Sequence, residues 1–189
     1  MIGYAFCGSY CTFGRSLAVL RRMVEQGCDV QPIMSERAYS EDTRFFKASE
    51  FTRLVSEVTG KSIIHTVVDA EPLGPKTPLE ALIIAPCTGN TLSKLASGIT
   101  DSAVTMAAKA HLRTDRPLLI ALASNDAMSQ NLGNIGKLLS RKSVYFVPLR
   151  QDDPIGKPHS LVADMEIIPD AFTEMMRGKQ MRPLFLEPK

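Results

Sequence analysis

Short runs of aliphatic and β-branched residues recur along this chain, and the segments between them have helical periodicity. Ile2–Cys7, Val30–Met34, Leu79–Ala85, Pro117–Ala123 and Val144–Val147 read as strands, the third of them buried. Ser62–Val68 is a further β-prone run. Between them, Arg15–Gln26 puts Leu17, Leu20 and Val24 on one helical face and stops at Gly27. A second helix is expected over Thr43–Thr59, with Ser40 as its N-cap and Gly60 as its stop. Further helices follow Gly89, span Asp101–Leu112, and span Asp126–Ser140 with Ile135, Leu138 and Leu139 inward. This alternation predicts an α/β fold: a three-layer, mostly parallel, doubly wound Rossmann-like sheet with helices on both faces. Ligands of such sheets sit beyond the C-terminal ends of the strands. The loops after Cys7, Met34, Ala85 and Ala123 are therefore the expected site.

The remaining segments fit around that frame. At 189 residues, 44% of them hydrophobic, the chain is expected to form one domain over 1–189. "EPLGPKTP" is a proline-rich loop. Pro148–Ser160, "PLRQDDPIGKPHS", is read as a long loop or flap, Leu161–Arg177 as a closing helix and Gly178–Lys189 as a tail. Lys plus Arg number 22 against 20 Asp plus Glu, so a net charge of +2 gives no reason to expect nucleic acid, and any anion site must be local. No run approaches the roughly 18 apolar residues of a membrane span. The N-terminus lacks the features of a signal peptide, so a cytoplasmic protein is expected. Cys7, Cys11, Cys28 and Cys87 complete no zinc pattern and the three His are scattered, so no metal is expected and the thiols are read as reduced and mostly buried.

Four motifs bear on chemistry. "GSYCTFG", Gly8–Gly14, follows the first strand: Gly8 permits a tight turn, Ser9 offers a hydroxyl, and the next helix offers free N–H groups suited to a phosphate. It is not the dinucleotide fingerprint, because Tyr10 and Phe13 stand where that motif needs glycine. An ordinary strand-to-helix turn fits it equally well. "VTGKS" is no P-loop, since Val55 replaces the required glycine and the strand–helix order is reversed. "SERA" places Ser35 as a helix cap or a phosphate contact. "APCTGNTLSKLASGITD", Ala85–Asp101, is dense in hydroxyls and amides. Pro86 is expected to end the strand, Thr88 and Asn90 to offer hydrogen bonds to a polyol or heteroaromatic edge, Gly89 to allow close approach, and Cys87 to line the same pocket. A capped helix with small residues for tight packing is the competing reading.

The last segment resembles the FMN-binding segment of the homo-oligomeric flavin-containing Cys decarboxylase superfamily, whose pattern is A-P-x-[ST]-x-N-T-x-x-K-x-A-x-G-I-x-D. "GSYCTFG" is similar to its phosphate-proximal turn, "SERA" to its T-x-x-A element, and "SNDAMSQN" to its P-x-M-N region. The resemblance covers roughly Met1–Leu149. "DAEPLGPKTPLEALIIAPCTGNTLSKLASGITDSAVTMAAKAHLR" and "FVPLRQDDPIGKPHSLVAD" narrow it to the B-subunit family of the dipicolinate synthases of spore-forming bacteria. The resemblance implies FMN, with Gly8, Ser9 and Ser35 at the phosphate. Thr88, Gly89, Asn90 and Thr91 take the ribityl chain and ring edge, beside Pro86 and Cys87, and Ser124 and Asn125 border the ring. Asn125 is the catalytic candidate, orienting a substrate carboxylate or carbonyl. Arg37, Lys157 and His159 are the candidate cations for a small dicarboxylate.

The same resemblance implies an NAD(P)-binding A subunit as partner, oxidation of a dihydrodipicolinate-type precursor during sporulation in the mother cell, and a homo-oligomer, trimeric or dodecameric. Two departures argue against cysteine decarboxylation: "EPLGPKTP" has no His where phosphopantothenoylcysteine decarboxylases carry theirs, and Leu122–Asn125 lacks the Pro and Met of P-x-M-N. The arginine-rich site of flavin prenyltransferases has no counterpart in "ASNDAMSQN". The alternatives are a non-catalytic scaffold subunit and an FMN-dependent decarboxylase of another carboxylate.

Overall fold

The computed structural model describes residues 1–188. Seven strands form one sheet: β1 (Ile2–Phe6), β2 (Val30–Met34), β3 (Ala81–Cys87), β4 (Leu118–Ser124), β5 (Val144–Phe146), β6 (Leu149–Arg150) and β7 (Leu161–Ala163). Their order is β2-β1-β3-β4-β7-β6, with β5 also on β4. β1 to β5 pair in parallel, while β7 is antiparallel to both β4 and β6. The sheet thus has the expected α/β, mostly parallel form. It is flanked by helices α1 (Phe13–Glu25), α2 (Glu36–Ser40), α3 (Ala48–Thr59), α4 (Val67–Ala70), α5 (Gly89–Ser97), α6 (Ala103–Leu112), α7 (Leu132–Leu139) and α8 (Ile168–Met176). The connection from β1 runs to one neighbour and the chain later returns to the other, so the direction of winding reverses between β1 and β3. That reversal opens a crevice at the carboxyl ends of the strands.

The core explains the positions of the first loops. Every residue of β1 and β3 is buried. Phe13, at the start of α1, stacks on Phe51 of α3 with ring centroids 4.4 Å apart, and both meet Phe6 of β1 edge-on. This aromatic cluster fixes the N-terminal end of α1 against the end of β1. No helix among the described residues is long and apolar enough to cross a membrane.

Several expected elements differ, each for a local reason. Ser62–Val68 is not a strand: only Ile64 bridges to Ile33, followed by the short α4. Pro32, on the edge strand β2, has no N–H to extend the ladder, and the Gln31 side-chain amide donates to the Ser62 carbonyl instead (2.9 Å). Ser40 is not an N-cap but ends α2. Asp42 and Thr43 accept backbone N–H groups of Ala48, Phe45 and Phe46, so their side chains hold a turn and delay α3 until Ala48. Pro86 does not end its strand: β3 runs to Cys87, which pairs with Leu122 after a shift of register, across a cis Ala85–Pro86 bond. Residues 125–131 form turns, and α7 begins only at Leu132. Val144–Phe146 is not the last strand, because β6 lies inside the expected flap and β7 replaces the first turns of the expected closing helix. The C-terminal tail docks on the sheet, where Leu149 N–H donates to Leu184 O (2.8 Å) and Leu186 N–H to Leu149 O (2.7 Å).

Candidate ligand-binding site

Two neighbouring cavities open at the carboxyl edge of the sheet, on either side of the loop after β1. The larger, about 430 Å³, is lined by Gly8 and Tyr10 after β1, Ser35, Glu36, Arg37 and Glu41 around α2, and Thr88, Asn90, Thr91, Lys94, Asp101 and Ser102 after β3. The smaller, about 300 Å³, lies between Ser9, Cys11, Thr12 and Arg15 on one wall and the end of β4 with the β6–β7 hairpin on the other. Ser124, Asn125, Arg150, Asp152, Lys157 and Asp164 line that second wall. The sequence-expected residues therefore divide. Gly8, Ser35, Arg37, Thr88, Asn90 and Thr91 share the larger cavity, while Ser9, Ser124, Asn125 and Lys157 share the smaller. Pro86, Cys87, Gly89 and His159 line neither of these two.

Hydrogen bonds already made decide what each group can still offer. Ser35 Oγ accepts from Ala38 N–H at 3.3 Å as the cap of α2, which leaves its own hydrogen available. Thr88 Oγ1 accepts from Thr91 N–H (3.1 Å) and donates to Thr91 Oγ1 (3.0 Å), so its hydrogen is spent inside the α5 cap. Ser9 caps nothing with its side chain. Asn90 is exposed and makes no side-chain hydrogen bond among the described residues. The cavity's three carboxylates are all engaged. Glu36 accepts from Ala103 N–H (3.0 Å), Asp101 pairs with Lys94 (2.9 Å), and Glu41 lies 3.8 Å from the Arg37 guanidinium and accepts from Tyr10 Oη–H (3.3 Å). The Lys94 ammonium holds the Asp101 carboxyl below its usual range. What remains open is a set of hydroxyl, amide and backbone donors, chemistry that fits a sugar-alcohol phosphate.

The end of β4 is held by a polar network. Ser124 donates to Asp126, Asn131 Nδ2 donates to Asp126 Oδ2 (2.9 Å), and Ser93 Oγ donates to Asn131 Oδ1 (2.7 Å). The Ser124 hydroxyl and the Asn131 amide together hold the Asp126 carboxyl below its ordinary value. Asn131 is only 2% exposed and ties this loop to α5. Gly89 lies beneath the network. A β-carbon there would come within 2.7 Å of Asp126 Oδ1 and 2.8 Å of Asn131 Nδ2, so internal packing by itself requires a glycine here. Ser124 has given its hydrogen to Asp126 and can only accept. Asn125, one residue on, is exposed and makes no side-chain hydrogen bond among the described residues.

Charge is concentrated in the smaller cavity. Lys157 Nζ pairs with Asp152 at 3.1 Å, and that hydrogen bond raises the ammonium above its usual range. Arg150 Nη2 pairs with Asp164 at 2.7 Å, Nη1 donates to Glu187 O at 3.1 Å, and Nε is buried without a partner among the described residues. His159 is exposed, and its backbone carbonyl accepts from Met128 N–H (2.9 Å). Arg15 and Arg150 were not anticipated. Arg15 is a solvent-facing cation by its helical position, and its closeness to the site rests on the tertiary contact of α1 with β1. The placement of Arg150 depends on β6, which two residues cannot announce. Cys87 is fully buried and donates to Thr88 O at 3.6 Å. Burial pushes its thiol well up, and pushes Cys7 to about 11, so neither is poised as a thiolate.

Comparison with known proteins agrees with this fold. A family model described as Flavoprotein matches residues 1–173. The chain is 40% identical over 186 residues to the B subunit of dipicolinate synthase of Bacillus subtilis (strain 168), a match covering 98% of this chain and 93% of that protein. Among solved structures it is similar to the B subunit of dipicolinate synthase from Bacillus halodurans C, with 41% identity and a TM-score of 0.91 over 100% of this chain and 96% of the other. An FMN-dependent cysteine decarboxylase, SpaF, shares the fold at 21% identity and a TM-score of 0.67, over 94% of this chain and 95% of that one.

Proposed function

The chain belongs to the Flavoprotein family, and from that premise we propose that it is the FMN-binding subunit of a two-component synthase. With an NAD(P)-binding A subunit it removes two hydrogens from a dihydrodipicolinate-type precursor to give the aromatic diacid, in the mother cell of a spore-forming bacterium. The observation that carries this reading is the convergence of the loops after β1, β2 and β3 on one cavity at the winding reversal, with unspent hydroxyl and amide donors. Near-full-length likeness to two dipicolinate synthase B subunits supports the choice of reaction.

In this reading Gly8, Ser9 and Ser35 would take the FMN phosphate. Asn90 would donate to the ribityl chain or ring edge, with Thr88 and Thr91 shaping the wall. Ser124, left only as an acceptor, would border the ring, and Asn125 would orient a substrate carboxylate or carbonyl. When bound, flavin supplies hydride acceptance and onward electron transfer, while the chain supplies position and electrostatics. Arg37, Lys157 and His159 remain the sequence-derived candidates for substrate charge. The assembly is a homo-oligomer, a trimer or dodecamer, joined by the A subunit. Purified protein should be yellow, and mass analysis of heat-released ligand should give FMN. Recovery of FAD would overturn the cofactor assignment.

The three carboxylates at the larger cavity favour a second reading, a scaffold subunit that holds its partner and binds no flavin. Addition of FMN to colourless protein separates the two: no binding, together with A-subunit activity that needs this chain, establishes the scaffold.

A further inference from the structure

The smaller cavity contains one cation that the protein itself does not neutralise. Arg150 and Lys157 are paired with Asp164 and Asp152. Arg15, on the opposite wall, makes no ion pair and no side-chain hydrogen bond among the described residues. Its position is also electrostatically unfavourable. It is the third residue of α1, which has no acid in its first turn, so the positive end of the helix dipole repels it. The 3₁₀ turn Tyr10–Thr12 leads straight into α1, and Ser9, Cys11 and Thr12 line the same cavity. A cation and a helix N-terminus thus face one space that no described side chain fills with unpaired negative charge. Ala123, Val162 and Ala163 give the space an apolar side, and the free Asn125 amide completes its rim.

We propose that this cavity binds a small planar dicarboxylate, with Arg15 as the anchor of one carboxylate and the free Asn125 amide donating to the other. A guanidinium grips a carboxylate through two parallel N–H bonds, and Arg15 has its whole donor fork available. The apolar side suits an unsaturated ring. Arg15 rather than Lys157 is the principal charge, because binding at Lys157 must first compete with Asp152. The inference rests on the diacid chemistry of the proposed function, yet it assigns that chemistry to Arg15, a residue that neither the motifs nor the family likeness singles out.

The test is calorimetric titration of the purified chain with pyridine-2,6-dicarboxylate, and with pyridine-2-carboxylate as the one-carboxylate control, at low and high salt. Wild type should bind the diacid more tightly than the monoacid, and more weakly as salt rises. Arg15→Gln should weaken diacid binding roughly 10- to 150-fold, the loss of a charge-assisted hydrogen bond. Arg15→Lys should recover part of it. Because Arg15 is exposed, unpaired and repelled by the helix dipole, Arg15→Lys should melt as wild type does and Arg15→Gln at the same temperature or slightly above it. Unchanged affinity in Arg15→Gln, or no diacid binding by wild type, overturns the inference. A parallel FMN titration keeps the two ideas separate. Arg15-dependent diacid binding without FMN binding sustains this site and defeats the flavin reading, whereas FMN binding with an Arg15-independent diacid does the reverse.

Discussion

At the scale of single residues, which hydrogens are already spent matters more than which residue types are present. Thr88 and Ser124 look like donors in a linear reading, but their protons go to Thr91 and Asp126. Asn90 keeps its amide free, so under the proposed function Asn90→Ala should weaken FMN binding by about 1–3 kcal/mol, roughly 5- to 150-fold. Titration at wild-type affinity would remove Asn90 from the site. His111 gives a prediction of another kind. It is fully buried, its Nε2 lies 2.9 Å from Pro117 O, and its Nδ1 has no partner among the described residues. Burial lowers its pKa below the ordinary 6.5, against a smaller opposing effect of the Pro117 hydrogen bond. The unfolded chain therefore takes up the proton first as pH falls. Stability is unaffected by this group well above pH 6.5, declines as pH drops below that value, and levels off below the depressed folded pKa. His111→Gln keeps a donor for Pro117 and should flatten that decline, which urea unfolding at about pH 7.5 and about pH 5.5 would show.

At the scale of elements, legibility followed length and locality. β1, β3, β4 and α1 are long, strongly patterned and stabilised by close neighbours, and their expected bounds lie within a few residues of those observed. β6 and β7 have two and three residues; they pair with each other across one loop, and β7 also pairs with β4, well back along the chain. An apolar run such as Leu161–Ala163 carries no sign of which it will be. The loop between them was expected to bring Lys157 to substrate, and in this structure Lys157 is paired with Asp152 instead. That pair is exposed on the Lys157 side, so Lys157→Ala should leave melting almost unchanged. If the loop closes on substrate, the variant lowers turnover of the two mixed subunits and spares FMN affinity. Wild-type turnover would make the loop purely structural.

At the scale of the whole molecule, the fold class was legible because alternation of strand and helix is a property of the entire chain, and the motif after β3 marked the crevice. The division into two cavities was not legible. It depends on how the loop after β1 stands between the ends of β3 and β4, a relation among three distant segments. The same division sets an order of completion on the ribosome. The larger cavity is lined wholly by residues between Gly8 and Ser102, whereas the smaller draws on Asp164, and its Arg150 is held by Glu187 near the end of the described chain. During synthesis the walls of the first can come together while the second still lacks a side. A nascent chain thus holds every wall residue of the larger cavity long before the smaller one can be complete, so the smaller is the last of the two to acquire its shape.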